Sequence, residues 1–323
     1  MASNIEWTED TWNPLGGCKE VGPECTNCYA APTAARLEAM ANADIAAGRD
    51  PGAKRKYIGA THKTASGKVA WSGKINLAGD ADADFLEPLR TKKPTTYFVN
   101  SMSDLFHEDV PDEFIDRVFA VMALCRQHTF QVLTKRPERM AIYMAEPNRK
   151  RLMAMKTMGI SNYLAQEAGS YKARISLDDF SAAFKGSGPF PNVWLGVSCG
   201  NRKDGLPRIE YLRRTPAAIR FLSCEPLLED LGEIDLTGID WCIVGGESGH
   251  GARPCNIAWI RSLIAQCKAA RVACFVKQLG TAAYDGPNLK GTGIKRMTVD
   301  RKGGNPDEWS VGLRVREYPE ARS

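Results

Sequence analysis

The sequence has no apolar run long enough to cross a bilayer: its longest, Val118–Cys125, has eight residues, against the roughly 20 that a spanning helix needs. The N-terminal stretch Met1 to Asp10 has neither the basic flank nor the apolar core of a secretory leader, so a cytoplasmic protein with no membrane partner is expected. Histidine is scarce: His62, His107, His128 and His250 are the only four. No internal repeat appears, which argues against a solenoid. The net charge of +5 is too mild to identify a partner. Its distribution is uneven, because Pro51 to Gly79 holds six Lys or Arg residues and no Asp or Glu. That segment, opening with Lys54-Arg55-Lys56, reads either as a contact for nucleic acid or as a solvated basic loop.

What the sequence does have is cysteine. Of ten, seven are scattered and three are gathered as Cys18, Cys25 and Cys28, with six residues in the first gap and two in the second. The scatter and the close cluster fit a reducing compartment and a metal site better than disulfides. Thiolates suit iron-sulfur clusters or zinc. Structural zinc takes four protein ligands, and the fourth would have to be His107 or a distant cysteine brought in by folding. A cluster held by three sulfurs leaves one iron open, and iron-sulfur is the favoured reading. Gly16, Gly17 and Gly22-Pro23 allow the tight backbone path that a wrapping loop needs.

Hydrophobic content of 43% supports a sizeable core. After the cysteines, Tyr29 to Ala47 has helical composition. From Thr95 onward, β-branched or aromatic runs alternate with amphipathic stretches. The runs Tyr97–Val99, Phe130–Leu133, Val193–Val197, Ile219–Leu222, Trp241–Val244 and Ala273–Val276 predict strands. Pro111 to Gln127, Gly205 to Arg214 and Ala258 to Arg271 predict helices between them. The expected fold is α/β, a partial or closed TIM-like (β/α) barrel of parallel strands with the cysteine loop after a first strand at Thr11 to Leu15. Lys74 to Leu77 is a weaker strand candidate, in the barrel or in a hairpin. The barrel spans 1–285, with insertions at about 48–79 and 145–190, and 286–323 forms a C-terminal extension. Each strand is followed by polar residues: Ser101 and Asp104, Lys135, Ser198 with Cys199 and Asn201, Cys224 with Glu225, Gly245-Gly246-Glu247, and Lys277-Gln278. In parallel barrels that end builds the active face.

Several motifs together carry a family resemblance. They are Trp12-Asn13-Pro14 before Gly17-Cys18, Cys25-Thr-Asn-Cys28-Tyr29-Ala30, Leu133-Thr134-Lys135-Arg136-Pro137, Trp194-Leu195-Gly196-Val197-Ser198, Phe221-Leu222-Ser223-Cys224-Glu225-Pro226-Leu227, Val244-Gly245-Gly246-Glu247-Ser248-Gly249 and Phe275-Val276-Lys277-Gln278. The chain resembles the radical S-adenosylmethionine (SAM) superfamily, and within it a phage-associated, three-cysteine branch. The gap between Cys18 and Cys25 is wider than the superfamily's usual one. The resemblance implies a 4Fe-4S cluster on Cys18, Cys25 and Cys28, with SAM on the open iron. It implies reductive cleavage of SAM to a 5'-deoxyadenosyl radical that abstracts hydrogen from a substrate, for which a nucleic-acid base or nucleotide is the candidate class. An external electron donor such as a flavodoxin or ferredoxin would be a partner.

The cofactor-contacting candidates that follow are Tyr29, Ser101, Asp104, Lys135, Ser198, Asn201, Glu225, Gly245, Gly246 and Glu247. Glu247 with its glycines, or Asp104 with Ser101, would meet the methionyl ammonium. Lys135 would meet the carboxylate, and Ser198 with Asn201 or Glu225 the ribose. The superfamily member that reverses spore photoproduct has a similar Ser/Thr-Asp strand end and returns hydrogen from a cysteine, which makes Cys199 and Cys224 catalytic candidates. They also read as small buried residues beside a pocket. The alternatives are a zinc-stabilised nucleic-acid-binding protein and a cluster protein that only transfers electrons.

Overall fold

A computed structural model describes residues 5–79, 84–149, 152–154, 188–286 and 298–320. The chain divides into two compact units. Unit 1 comprises Met1–Val21, Cys28–Trp194 and Thr215–Ala218; unit 2 comprises Gly22–Asn27, Leu195–Arg214 and Ile219–Ser323.

In unit 1, β1 (Asp10–Trp12), β6 (Thr96–Val99) and β7 (Thr129–Thr134) pair in that order, and both pairings are parallel. The first strand stops at Trp12, short of the expected Leu15. Pro14 lacks the N–H that a ladder needs, and after it β2 (Leu15–Gly16) pairs antiparallel with β5 (Asn76–Leu77) instead. The weak strand signal at Lys74 to Leu77 is therefore real but belongs to this small pairing. Helix α1 (Ala30–Ala46) follows the cysteine loop, and β3 (Thr61–Lys63) and β4 (Val69–Trp71) form a hairpin. A short α2 (Glu87–Arg90) precedes β6. Helix α3 (Asp112–Leu124) starts at Pro111 with two acids in its first turn, where they meet the positive end of the helix dipole. It buries residues on nearly every face, from Phe114 to Ala123. Helix α4 (Pro137–Ala145) follows β7. The core is aromatic: Trp12 packs on Phe130 at 5.7 Å between ring centroids and on Phe85 at 6.2 Å.

In unit 2 the strands run β8 (Val193–Ser198), β9 (Ile219–Cys224), β10 (Trp241–Gly245) and β12 (Ala273–Gln278), after the short β11 (Cys255–Asn256) is set aside. Strand β8 begins in unit 1 and ends in unit 2. The β9–β10 and β10–β12 pairings are parallel. Helix α5 (Leu206–Arg214) connects β8 to β9 and α6 (Ile257–Ala270) connects β10 to β12, whereas β9 runs on to β10 without a helix. Helix α6 is delimited by its own chemistry. The Asn256 side chain accepts from the Ala258 N–H at its start, and Arg271 ends it with a left-handed φ of 56°. Its buried Ile257, Ile260, Leu263 and Cys267 lie on one helical face. Strand β11 pairs with β13 (Ala283–Tyr284).

The C-terminal extension is part of unit 2. Val276 N donates to Val315 O and Glu317 N to Cys274 O, so the chain adds an antiparallel partner along the open edge of β12. Tyr318 lies against both Trp241 and Phe275, at 5.4 Å in each case. The strands, helices and parallel pairings match the α/β expectation and are compatible with part of a TIM-like barrel. Most of the expected insertion at 145–190 lies outside the described residues.

Candidate functional site

Cys18 enters the structure through a constriction in unit 1. A Cβ on Gly16 would lie 2.6 Å from the Lys56 carbonyl, and one on Gly17 2.0 Å from the Lys74 carbonyl, so only glycine passes. Gly17 also has φ +98° and bridges to Ser103. The segment 48–79, expected as a basic insertion, is thus the backing of the cysteine loop. Its Tyr57, Ala60 and Trp71 form a cluster with Ala30, Ala31, Ala34 and Met102, and Cys18 and Cys28 pack on that cluster. Its three leading cations are compensated. Lys54 pairs with Asp44 at 2.5 Å and Arg55 with Asp50 at 2.9 Å, while buried Lys56 pairs with Asp84 and donates to Asn13 O.

The loops after β6 and β7 are tied together by Asp104. One carboxylate oxygen accepts from Thr134 Oγ1 at 2.7 Å and Phe106 N at 3.0 Å; the other accepts from Lys135 N at 3.0 Å and Arg136 at 3.1 Å. Arg136 also holds Glu108 at 2.8 Å and donates to Lys19 O, the residue after Cys18. Burial opposes the Arg136 charge, but Asp104, Cys18 and Glu108 outweigh it and raise its pKa. A guanidinium near Cys18 favours its thiolate form. Tyr29 donates from its hydroxyl to Ser101 O at 3.1 Å, and Ser101 Oγ and Met102 N both donate to Asn13 Oδ1 at 3.1 Å. Lys135 is half-buried, and among the described residues no partner for its ammonium is found.

His107 is fully buried in the same loop. Its Nδ1 accepts from Asp109 N at 3.1 Å, which leaves the proton of the neutral ring on Nε2, an atom with no partner. Burial, then Arg136, holds its pKa below the usual imidazole value. With the proton on Nε2 the ring is a donor rather than a metal ligand, so His107 does not supply the fourth zinc ligand considered from the sequence.

Cys25 belongs to unit 2, on a single 3₁₀ turn, Pro23–Cys25. Glu24 beside it is buried, and its Oε1 accepts from Arg208 at 3.0 Å and Gly200 N at 3.4 Å. Glu247 is equally committed. Arg253 meets it at 2.5 and 3.0 Å, and Asn27 Nδ2 donates to it at 2.9 Å. Burial opposes the Glu247 charge, but the hydrogen bonds from Arg253 and Asn27 outweigh it and lower its pKa. Glu225 takes Lys277 at 2.6 Å and Gln278 at 3.2 Å. Gly246 is required by packing of the chain on itself, since a Cβ there would lie 2.2 Å from the Leu279 carbonyl, whereas one on Gly245 would come no closer than 3.2 Å, to the Gln278 carbonyl. Ser198 and Asn201 are different. Both are buried, and Ser198 Oγ, Asn201 Nδ2 and Glu24 Oε2 have no partner. Such orphaned atoms are the mark of a group that a ligand or water completes.

Cys199 and Cys224 are fully buried, and Cys224 Sγ lies 3.8 Å from Cys242 Sγ. Cys242 faces Cys274 across the β10–β12 register. The hydrogen bond with Cys199, together with burial, pushes the Cys224 thiol well up. Cys224 is a protonated core thiol, and Cys199 is a small buried residue beside it. A cavity of about 1150 Å³ in unit 2 is lined by Gly238–Asp240, Arg271–Cys274 and Glu317, at the start of β10 and β12 rather than at the ends that carry the polar residues.

A family described as "Protein of unknown function (DUF5131)" matches residues 2–309. The chain belongs to the DUF5131 family. No curated protein and no solved structure matches it. The donor set of this DUF5131 chain divides in two. Seven cysteines are buried, whereas Cys18, Cys25 and Cys28 are half-buried, and all ten are free. Among the described residues no three His, Cys, Asp or Glu side chains stand together as a ready metal site. By donor chemistry, three accessible thiols without a fourth ligand fit a three-sulfur cluster better than closed zinc. Sequence reasoning missed Asn13, Glu24, Thr134, Arg136, Arg208 and Arg253. Asn13, Thr134 and Arg136 stood inside the quoted motifs, whereas nothing local marked Arg208 or Arg253 as partners of the loop.

Proposed function

We propose that this DUF5131 chain is a radical SAM-type enzyme that holds a 4Fe-4S cluster on Cys18, Cys25 and Cys28. The observation that supports it is the partition of the cysteines, three half-buried on one Gly-flanked loop and seven sealed in the core. Cys18, Cys25 and Cys28 would hold the cluster, which with an electron from a flavodoxin- or ferredoxin-type donor would supply the chemistry of reductive SAM cleavage to methionine and a hydrogen-abstracting 5'-deoxyadenosyl radical. The chain's own residues bind and orient. Arg136 stabilises the charge at Cys18, and Asp104 fixes Arg136 and the Lys135 backbone. Lys135 is the cation for the SAM carboxylate. Ser198 Oγ and Asn201 Nδ2 are the unfilled donors for ribose hydroxyls. Asp104, Glu225 and Glu247 act as positioning groups, because Arg or Lys already neutralises each one.

Nucleic-acid recruitment through Lys54, Arg55 and Lys56 is left out of the proposal, because Asp44, Asp50 and Asp84 compensate them. The test is anaerobic purification with iron and sulfide analysis, then incubation of the reduced protein with SAM. Four irons per chain and 5'-deoxyadenosine formation are expected, both lost in the Cys18, Cys25 and Cys28 to Ala variant. Stoichiometric zinc without iron would overturn the proposal. Cluster without SAM binding would point to electron transfer alone.

A further inference from the structure

The segment that carries Cys25 is fastened at both ends within unit 2. Upstream, buried Glu24 accepts from Arg208 and Gly200 N, and the same Arg208 nitrogen donates to Ser198 O at 2.9 Å. The seat for Glu24 is cut to shape: a Cβ on Gly200 would lie 2.9 Å from Glu24 Cγ and 2.2 Å from Pro226 O. Downstream, Asn27 donates to Glu247 at 2.9 Å and to Gly251 O at 3.1 Å. Arg253, bidentate on Glu247, reaches back to Pro23 O at 2.8 Å. Two guanidinium–carboxylate pairs therefore bracket a turn of only three residues.

Burying an ion pair gives little net stability, because desolvation offsets the attraction. What such a pair does provide is direction, through the fixed geometry of a guanidinium fork. Between the two pairs the only side chain with metal-binding chemistry is Cys25. We infer that Glu24–Arg208 and Asn27–Glu247–Arg253 form a two-armed clamp that sets the position of the Cys25 sulfur, making Glu24 and Asn27 positioning residues. The clamp gives the long Cys18–Cys25 gap a purpose, since Pro23 and Glu24, which carry its upstream contacts, lie inside that gap. The role as ligand positioning rests on the cluster proposed above.

The test separates the clamp from the cluster by reading both. In cluster-free protein, the alkylation rates of Cys18, Cys25 and Cys28 are followed by mass spectrometry in wild type, Glu24→Gln and Asn27→Ala. Loss of one arm is expected to raise Cys25 alkylation about tenfold while Cys18 and Cys28 change less than about twofold. Asn27→Ala leaves no buried charge unpaired, so it stands in should Glu24→Gln not fold. After reconstitution the variants are expected to bind less iron and to show an altered electron-paramagnetic spectrum, with partial recovery in Asn27→Gln. Unchanged Cys25 alkylation, or an equal rise at all three cysteines, would overturn the clamp. Selective Cys25 release in a protein that never takes up iron would keep the clamp and remove the cluster.

Discussion

Four donors meet the single carboxylate of Asp104, and three of them come from consecutive residues, Thr134, Lys135 and Arg136. Such a residue is visible in a sequence as a polar group at a strand end, but its partners are not. The sequence singled out Asp104, Glu225 and Glu247 as acids available to a ligand; the structure finds each already met by a cation. The reason is general: a carboxylate buried at a strand end costs too much unpaired, so the fold pairs it. Histidines at this scale give a pH prediction. His128 is buried; its Nδ1 accepts from Thr95 N, and its Nε2 lies 3.0 Å from both Pro88 O and Thr91 O. Burial lowers the pKa of His128, and of His107, below 6.5 in the folded chain. The unfolded chain therefore takes up the proton first as pH falls. Stability is complete above pH 6.5 and declines as pH drops through the folded-state values. Urea midpoints measured from pH 7.5 to 5 are expected to fall, and His128→Asn to flatten part of that fall; a midpoint that rises toward pH 5 would contradict this account.

At the level of elements, helices α1, α3, α5 and α6 lie within a few residues of the spans read from periodicity. Apolar spacing is local, and α6 adds a local cap of its own. Asn256 is such a cap: Asn256→Ala should lower the unfolding free energy by about 1 kcal/mol, read from the urea midpoint. The segment 48–79 shows the opposite case, in which the partners lie outside the window. Counting charge between Pro51 and Gly79 leaves out Asp44 and Asp50 just before the window and Asp84 just after it, and these three compensate its leading cations. The consequence is measurable. Lys56→Glu removes a buried ion pair and should destabilise by about 3 kcal/mol, whereas Arg55→Glu, in an exposed pair, should change stability by less than about 1 kcal/mol. Equal effects of the two would refute this structural role for the segment. The C-terminal extension was also legible only as a tail, because the edge of β12 that it covers is created by folding and leaves no trace in the extension's own composition.

Across the whole molecule, the α/β alternation and the parallel order were legible, since β6, β7, β8 and β10 each lead into a helix and repeat one local pattern. The division into two units was not. It assigns Cys25 to one unit and Cys18 and Cys28 to the other, although they share one loop. A short segment changes allegiance when long-range partners such as Arg208 and Glu247 claim it, and sequence proximity says nothing about those partners. The same holds for the buried thiols: the sequence shows ten cysteines, and only folding reveals that seven are sealed.

The close approach of Gly16 and Gly17 to the carbonyls of Lys56 and Lys74 ties two distant stretches of the chain into one heritable piece. A descendant that kept the three cysteines but shed residues 48–79 would lose the wall against which Cys18 and Cys28 rest. A descendant that replaced either glycine would have to reroute that wall. Glycine before the first cysteine and an intact stretch between α1 and β6 should therefore be gained, kept or lost together.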